Sequence, residues 1–262
     1  MPGRIIGVTV DTNGNRVSAA IGHAGYVTGG VGIADVPGFY GNGGNYVDAR
    51  GVLNANGVGN ESEMIAGTAL ADTVFARGGN DTVRAGDGND TIHGESGIDY
   101  LYGGNGDDII DGGSEDDFMY GEAGNDTMRG DIGIDTMFGG DGNDSITDSG
   151  GSDTIDGGAG NDTITGNGAN DVLVGGTGND TFLLTGAADG TDAITDASGT
   201  DTILGAAGVA DVLNVLSNLS NISGIEVFDG GTGAANTILA TAAADILDFS
   251  ALTVTNFVID GG

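Results

Sequence analysis

The sequence predicts an all-β fold: a right-handed parallel β-roll, or β-solenoid, with irregular β flanking segments. Three observations carry this. Rows of nine residues laid from Gly67 fit thirteen times without a gap and end at Leu183. The sixth position of every row is Asp, and the eighth is apolar in every row, from Val74 and Val83 through Met119, Met128 and Met137 to Leu173 and Phe182. Positions one and four are each Gly in ten of the thirteen rows, in a chain where Gly supplies 55 of 262 residues. Columns held in phase over 117 residues mark a repeat, in which each unit buries its apolar residue only against its neighbours.

Each element follows from the row. Positions seven to nine set one apolar residue between two others, which predicts a short strand pointing position eight inward. The six residues before them are rich in Gly, which accepts positive φ and permits a sharp turn. Two rows then make one coil, with a strand on each side and a turn at each end. Thirteen rows give about six coils, roughly 30 Å of stack at ~4.8 Å per strand.

The Asp column is Asp72, Asp81, Asp90, Asp99, Asp108, Asp117, Asp126, Asp135, Asp144, Asp153, Asp162, Asp171 and Asp180. The chain carries 39 acidic residues against 6 basic ones, all Arg, for a formal net charge of -33. Such a chain ordinarily stays disordered, because like charges repel and little apolar surface can be buried. Here the acids are periodic, and carboxylates stacked at each turn repel one another unless a cation lies between them. Carboxylates and backbone carbonyls, with no Cys and only His23 and His93, make a hard oxygen cage of the kind Ca2+ prefers; Mg2+ demands tighter octahedral geometry and holds its water. Multiple Ca2+ ions are therefore expected. The charge argues against nucleic acid and anionic membranes as partners. No apolar run approaches transmembrane length, so no membrane insertion is expected.

Rows such as Gly103-Gly104-Asn105-Gly106-Asp107-Asp108-Ile109-Ile110-Asp111 and Gly157-Gly158-Ala159-Gly160-Asn161-Asp162-Thr163-Ile164-Thr165 closely resemble the nonapeptides of the RTX (repeats-in-toxin, hemolysin-type) calcium-binding family. The resemblance covers 67–183. It implies ions lying between adjacent coils, so that the Asp of one row works with the Asp eighteen residues later. One ligand column is then Asp90, Asp108, Asp126, Asp144, Asp162 and Asp180; the other is Asp81, Asp99, Asp117, Asp135, Asp153 and Asp171. Backbone carbonyls at positions two and four would complete the cages: those of Gly86, Gly88, Gly104, Gly106, Gly140, Gly142, Gly158, Gly160, Gly176 and Gly178. Position four departs from Gly at Leu70, Glu115 and Ala169, where a left-handed backbone strains a side chain. Asp72 is accordingly left out of the ligand set, and Asp117 and Asp171 stand beside weaker turns.

Three segments result. Residues 1–66 are Gly- and Asn-rich, with strands expected at 5–10 and 50–53, and cap the roll or serve its assembly. Residues 67–183 form the roll, with 62–75 as its lead-in coil. Residues 184–262 lack Lys and Arg and continue as irregular β-solenoid. Within them 224–231 echoes 256–262, 243–249 is expected to give a further strand or turn, and 209–219 fits an amphipathic helix. This tail resembles the C-terminal regions of RTX proteins exported by type I secretion. That implies the type I secretion machinery as a partner and a secreted, extracellular or cell-surface location, in line with an N-terminus that lacks a Sec-type pattern.

Positions seven and nine face outward, so Tyr100, Tyr102, Phe118, Tyr120 and Phe138 fall on one outer sheet. A contiguous apolar face often marks an interface, and self-association into a homopolymer is its expected use. No zinc-protease helix motif or Gly-x-Ser-x-Gly elbow is present, and the Asp columns account for one member of each acidic pair, such as Asp107-Asp108. A non-enzymatic protein is expected. The leading reading is a secreted calcium-binding structural protein of a surface layer, filament or adhesive matrix. The alternatives are a calcium-folded export or carrier module for a type I secreted partner, or an accessory module of a secreted enzyme.

Overall fold

The computed structural model describes residues 62, 64–185 and 192–205, and strand backbone at 6–10, 17–20, 46–48, 212–215, 222–223, 225–229, 236–240, 253–255 and 257–260. Among these residues every regular element is a strand. Alternate rows go to alternate sheets, as a coil of two rows requires. A nine-stranded sheet runs from Met64–Ala66 through Thr82–Asp87, Tyr100–Asn105, Phe118–Ala123, Thr136–Asp141, Thr154–Ala159 and Val172–Thr177 to Ala193–Thr195 and Ile222–Ser223. An eleven-stranded sheet faces it. It runs from Tyr46–Asp48 through Thr73–Gly78, Thr91–Ser96, Ile109–Ser114, Thr127–Ile132, Ser145–Thr147, Thr163–Thr165, Thr181–Leu184 and Asp201–Gly205 to Ile225–Asp229 and Thr253–Thr255. All pairings in these two sheets are parallel, and inside the repeat the partners lie eighteen residues apart, as in Phe118 with Thr136 and Ile110 with Met128. The chain is a parallel β-roll.

The strands are longer than the row predicts. Most span six residues, running through positions one to three of the next row, and the turn is left with positions four to six. The side chains alternate inward and outward past the row boundary, so position one is buried like position eight. Position two then takes a left-handed backbone, at Gly104 (φ 117°), Gly140 (φ 113°) and even at Glu122 (φ 75°). The ladder continues across this bend because the same bend is stacked in every coil. Inside the repeat, Ser145–Thr147 and Thr163–Thr165 stop at the expected three residues.

The core is one side chain thick. Val83, Leu101, Met119, Met137, Ile155 and Leu173 from one sheet meet Val74, Ile92, Ile110, Met128, Ile146, Ile164 and Phe182 from the other, none more than 3% exposed. A layer this thin buries little area per residue, so the roll needs other cement along its edges.

The flanks are mixed in outcome. Ile6–Val10 is a strand, paired antiparallel with Val17–Ala20; the strand expected at 50–53 lies outside the described residues, as does 243–249. The lead-in coil is present as Met64–Ala66 and Thr73–Gly78. The helix expected over 209–219 is overturned where it is described: Val212–Val215 is a strand, parallel to Asn236–Ala240 in a three-stranded sheet with Phe257–Asp260. The apolar spacing suited both periods, and two β-branched residues with a partner strand decide for the sheet. Of the two echoing segments, Ile225–Asp229 joins the roll while Phe257–Asp260 joins this smaller sheet.

Candidate metal centre

The sixth-position aspartates line the two edges of the roll, and all thirteen are buried, at most 2% exposed. A buried carboxylate is costly unless each oxygen has a partner. Oδ1 has one. The backbone N–H of Asp72 donates to Asp90 Oδ1 at 2.7 Å, Asp90 N–H to Asp108 Oδ1 at 2.7 Å, and Asp108 N–H to Asp126 Oδ1 at 2.8 Å. The chain continues through Asp144, Asp162 and Asp180 to Asp201. The other edge runs from Asp81 through Asp99, Asp117, Asp135 and Asp153 to Asp171 and Asp192. These are the two columns of the sequence analysis. Each Asp from Asp90 onward thus stitches its coil to the one before.

Oδ2 is different. In Asp90, Asp99, Asp108, Asp117, Asp126, Asp144, Asp153 and Asp162 it is sealed from solvent and accepts no hydrogen bond. Where position one of the row is Gly, it faces a cradle that a side chain would fill. A Cβ added at Gly103, Gly121, Gly139 or Gly157 would overlap the Oδ2 of its own row's Asp. The same point lies 2.5 to 2.9 Å from the position-one carbonyl oxygen of the next coil, that of Gly121, Gly139, Gly157 or Gly175. Two oxygens converge there, coil after coil.

The family comparison decides what this pattern is. A model of the RTX calcium-binding nonapeptide repeat, four copies long, matches at 66–101, 93–128, 102–137, 129–164 and 147–182. Residues 66–182 are RTX calcium-binding repeats. The matched span is just under half of the chain. Comparison with curated proteins and with solved structures gives no match.

The RTX repeats fit calcium on their own geometry. Orphaned carboxylate and carbonyl oxygens form an all-oxygen donor set, and a divalent cation supplies the charge that N–H donors do not. Burial pushes the carboxyls of Asp90 and Asp126 up to about 6, those of Asp99, Asp108 and Asp162 to about 7, and that of Asp117 to about 8. The donated backbone N–H pulls the other way, and the carboxylates of adjacent coils add to the rise, as Asp81 does for Asp99. A cation beside Oδ2 would offset this cost by favouring the ionised form.

At Asp72, left out of the ligand set, Thr68 donates to Oδ2 from both N–H and Oγ, at 2.6 and 3.0 Å. In rows of Asp81 and Asp90, position one is Ala76 or Ala85, each fully buried, so a methyl stands where other rows leave the cradle. The glycines at positions two and four, Gly86, Gly88, Gly104, Gly106, Gly140, Gly142, Gly158, Gly160, Gly176 and Gly178, all have positive φ. Their carbonyls point along the stack: a Cβ on Gly104 or Gly106 would overlap the carbonyl of Gly86 or Gly88. Position four also approaches Oδ1, because a Cβ on Gly151 would lie 2.7 Å from Asp153 Oδ1. Of the departures at position four, Glu115 and Ala169 do adopt the left-handed backbone, at φ 74° and 88°.

Two features were not foreseen. The position-one carbonyls stand beside Oδ2, so that glycine column does more than turn the chain. Two carboxylate clusters also form, Asp135 with Asp148 and Asp153, and Asp180 with Asp196 and Asp201, each with oxygens within 4.8 Å of one another. Burial, with Asp153 beside it, pushes the Asp148 carboxyl up to about 9. Asp148 was visible in the sequence as an Asp in the Gly column; Asp196 was hidden by the widening of the repeat to 21 residues after Asp180.

Proposed function

We propose that this chain is a secreted structural protein of the cell surface or extracellular matrix, folded by calcium and assembling with copies of itself into a layer, filament or adhesive matrix. RTX repeats are typical of secreted proteins, and no helix among the described residues is long and apolar enough to cross a membrane. The ligands are the two Asp columns with the glycine carbonyls around them. Bound calcium neutralises the columns, and the chain's own residues supply the stitch, the cradle and the thin core.

The observation that carries the assembly reading is an aromatic ladder on the outside of the nine-stranded sheet. Tyr100 stacks on Phe118 at 4.8 Å, and Tyr102 stacks on Tyr120 at 4.8 Å, with Phe138 next at 5.2 Å. Arg84 lies over Tyr102, 4.2 Å from the ring centroid. In-register rings give a flat apolar face on a strongly acidic chain, and such a face suits contact with a second surface once calcium has lowered the charge.

Negative-stain imaging in millimolar calcium tests this. Ordered filaments or sheets are expected, and Tyr102→Ser with Tyr120→Ser should abolish the calcium-dependent rise in light scattering. Isolated short rods from the wild type would favour the carrier or accessory-module readings instead.

A further inference from the structure

The two carboxylate clusters obey one rule. In an ordinary coil interface the cradle beside Oδ2 is faced by a position-one glycine carbonyl, as Gly139 faces Asp126. Beside Asp135 the position-one residue of the next coil is Asp148, and a Cβ on Gly130 would overlap Asp148 Oδ1 and lie 2.6 Å from Asp135 Oδ2. Asp196 holds the equivalent place beside Asp180, where a Cβ on Gly175 would overlap Asp196 Oδ1 and lie 2.5 Å from Asp180 Oδ2. In both, a carboxylate replaces a carbonyl at the same point of the same edge structure.

These side chains are aimed inward. Asp148 is fully buried; its Oδ2 accepts the Gly150 N–H at 2.7 Å, and its Oδ1 has no donor. In the second cluster Asp196 Oδ1 accepts the Gly176 N–H at 2.9 Å, while Asp196 Oδ2 and Asp180 Oδ2 have none. The clusters also lie on opposite edges, since Asp135 and Asp153 belong to one Asp chain and Asp180 and Asp201 to the other.

We infer that Asp148 and Asp196 each add a third carboxylate to one calcium site, making one high-affinity site on each edge of the roll that fills before the two-carboxylate sites. The inference rests on the calcium reading of the repeats. Its physical basis is that charge count and rigidity of the ligand set tune calcium affinity over several decades. Filling these sites first pins one coil interface on each edge, at calcium levels too low to close the remainder.

Calorimetric titration of calcium into the full, chelator-stripped chain tests it. The wild type should show a tight class of two ions ahead of the rest. Asp148→Gly restores the residue that most rows carry there, and it should weaken one of the two ions about tenfold or more; Asp196→Gly should weaken the other, and the double variant both. Asp148→Asn keeps the side-chain volume and the acceptor for Gly150, so it separates charge from packing and should reproduce the loss. Sheet circular dichroism at saturating calcium should stay at the wild-type level in each variant. A single uniform class in the wild type, or a tight class that survives these substitutions, overturns the inference alone. Absence of any calcium binding by the wild type would instead bring down the calcium reading beneath it.

Discussion

At the level of single residues, Asp90, Asp99, Asp108, Asp117, Asp126, Asp144 and Asp162 have their two carboxylate oxygens doing different work. Oδ1 is a structural acceptor for the backbone of the preceding coil, and Oδ2 is left for a cation. Burial raises the carboxyl pKa from the ordinary 3.8 to about 6 for Asp90, about 7 for Asp99 and about 8 for Asp117. The metal-free folded chain therefore binds more protons than the unfolded chain from about pH 4 to about pH 8, and its stability falls as pH rises through that window. In chelator, sheet circular dichroism should accordingly be stronger near the acid end of the window than near the alkaline end. A signal that grew with pH would contradict the burial of these groups.

The glycines make a second prediction at the same scale. Gly142 has φ 142°, and a Cβ there would overlap the Gly124 carbonyl, whereas a Cβ on Gly150 meets nothing within 4 Å. Gly142→Ala should cost more than about 2 kcal/mol in urea unfolding with calcium present, while Gly150→Ala should stay within about 0.5 kcal/mol. Equal effects would mean that the close stacking of turns is not what selects glycine.

For the strand as an element, the decisive feature is the single large apolar side chain that each row turns inward. Ile146 is fully buried, between Met128 and Ile164 in the parallel ladder. Ile146→Ala should destabilise the calcium-loaded roll by about 2–5 kcal/mol. Because each coil touches only its neighbours, the damage should stay local. Hydrogen exchange should accelerate in 127–165 while the amides of 82–105 keep their protection. The six-residue strand was not legible from the row, because ten of the thirteen rows have only Gly at position one, with no side chain to announce a second inward point. Glycine there is buried by the close approach of the next coil, a property of the stack and not of the segment.

In the whole molecule, a net charge of -33 sets a thin core against strong repulsion, and in the function proposed above calcium tips the balance by binding the folded form. Removing calcium with chelator at neutral pH should abolish the sheet signal. So should replacing Asp108, Asp126 and Asp144 together with Ala, which takes both the stitch and the ligand from three successive coils of one edge. Retention of the sheet spectrum in either case would sink the calcium-folding account.

The sequence by itself determined the period, the inward and outward faces, the two Asp columns and the oxygen chemistry that selects calcium, because each of these is a matter of residue type at fixed spacing. Asp148 and Asp196 show where that reading stopped: one broke a column and the other followed a three-residue widening of the repeat, and neither residue type says what it faces. Only the tertiary structure decided that they join Asp135 and Asp153, or Asp180 and Asp201. It likewise decided that position-one carbonyls stand beside Oδ2 and that Val212–Val215 is a strand. Those outcomes depend on which backbone comes to lie alongside after stacking, and proximity across coils is not written in any single row.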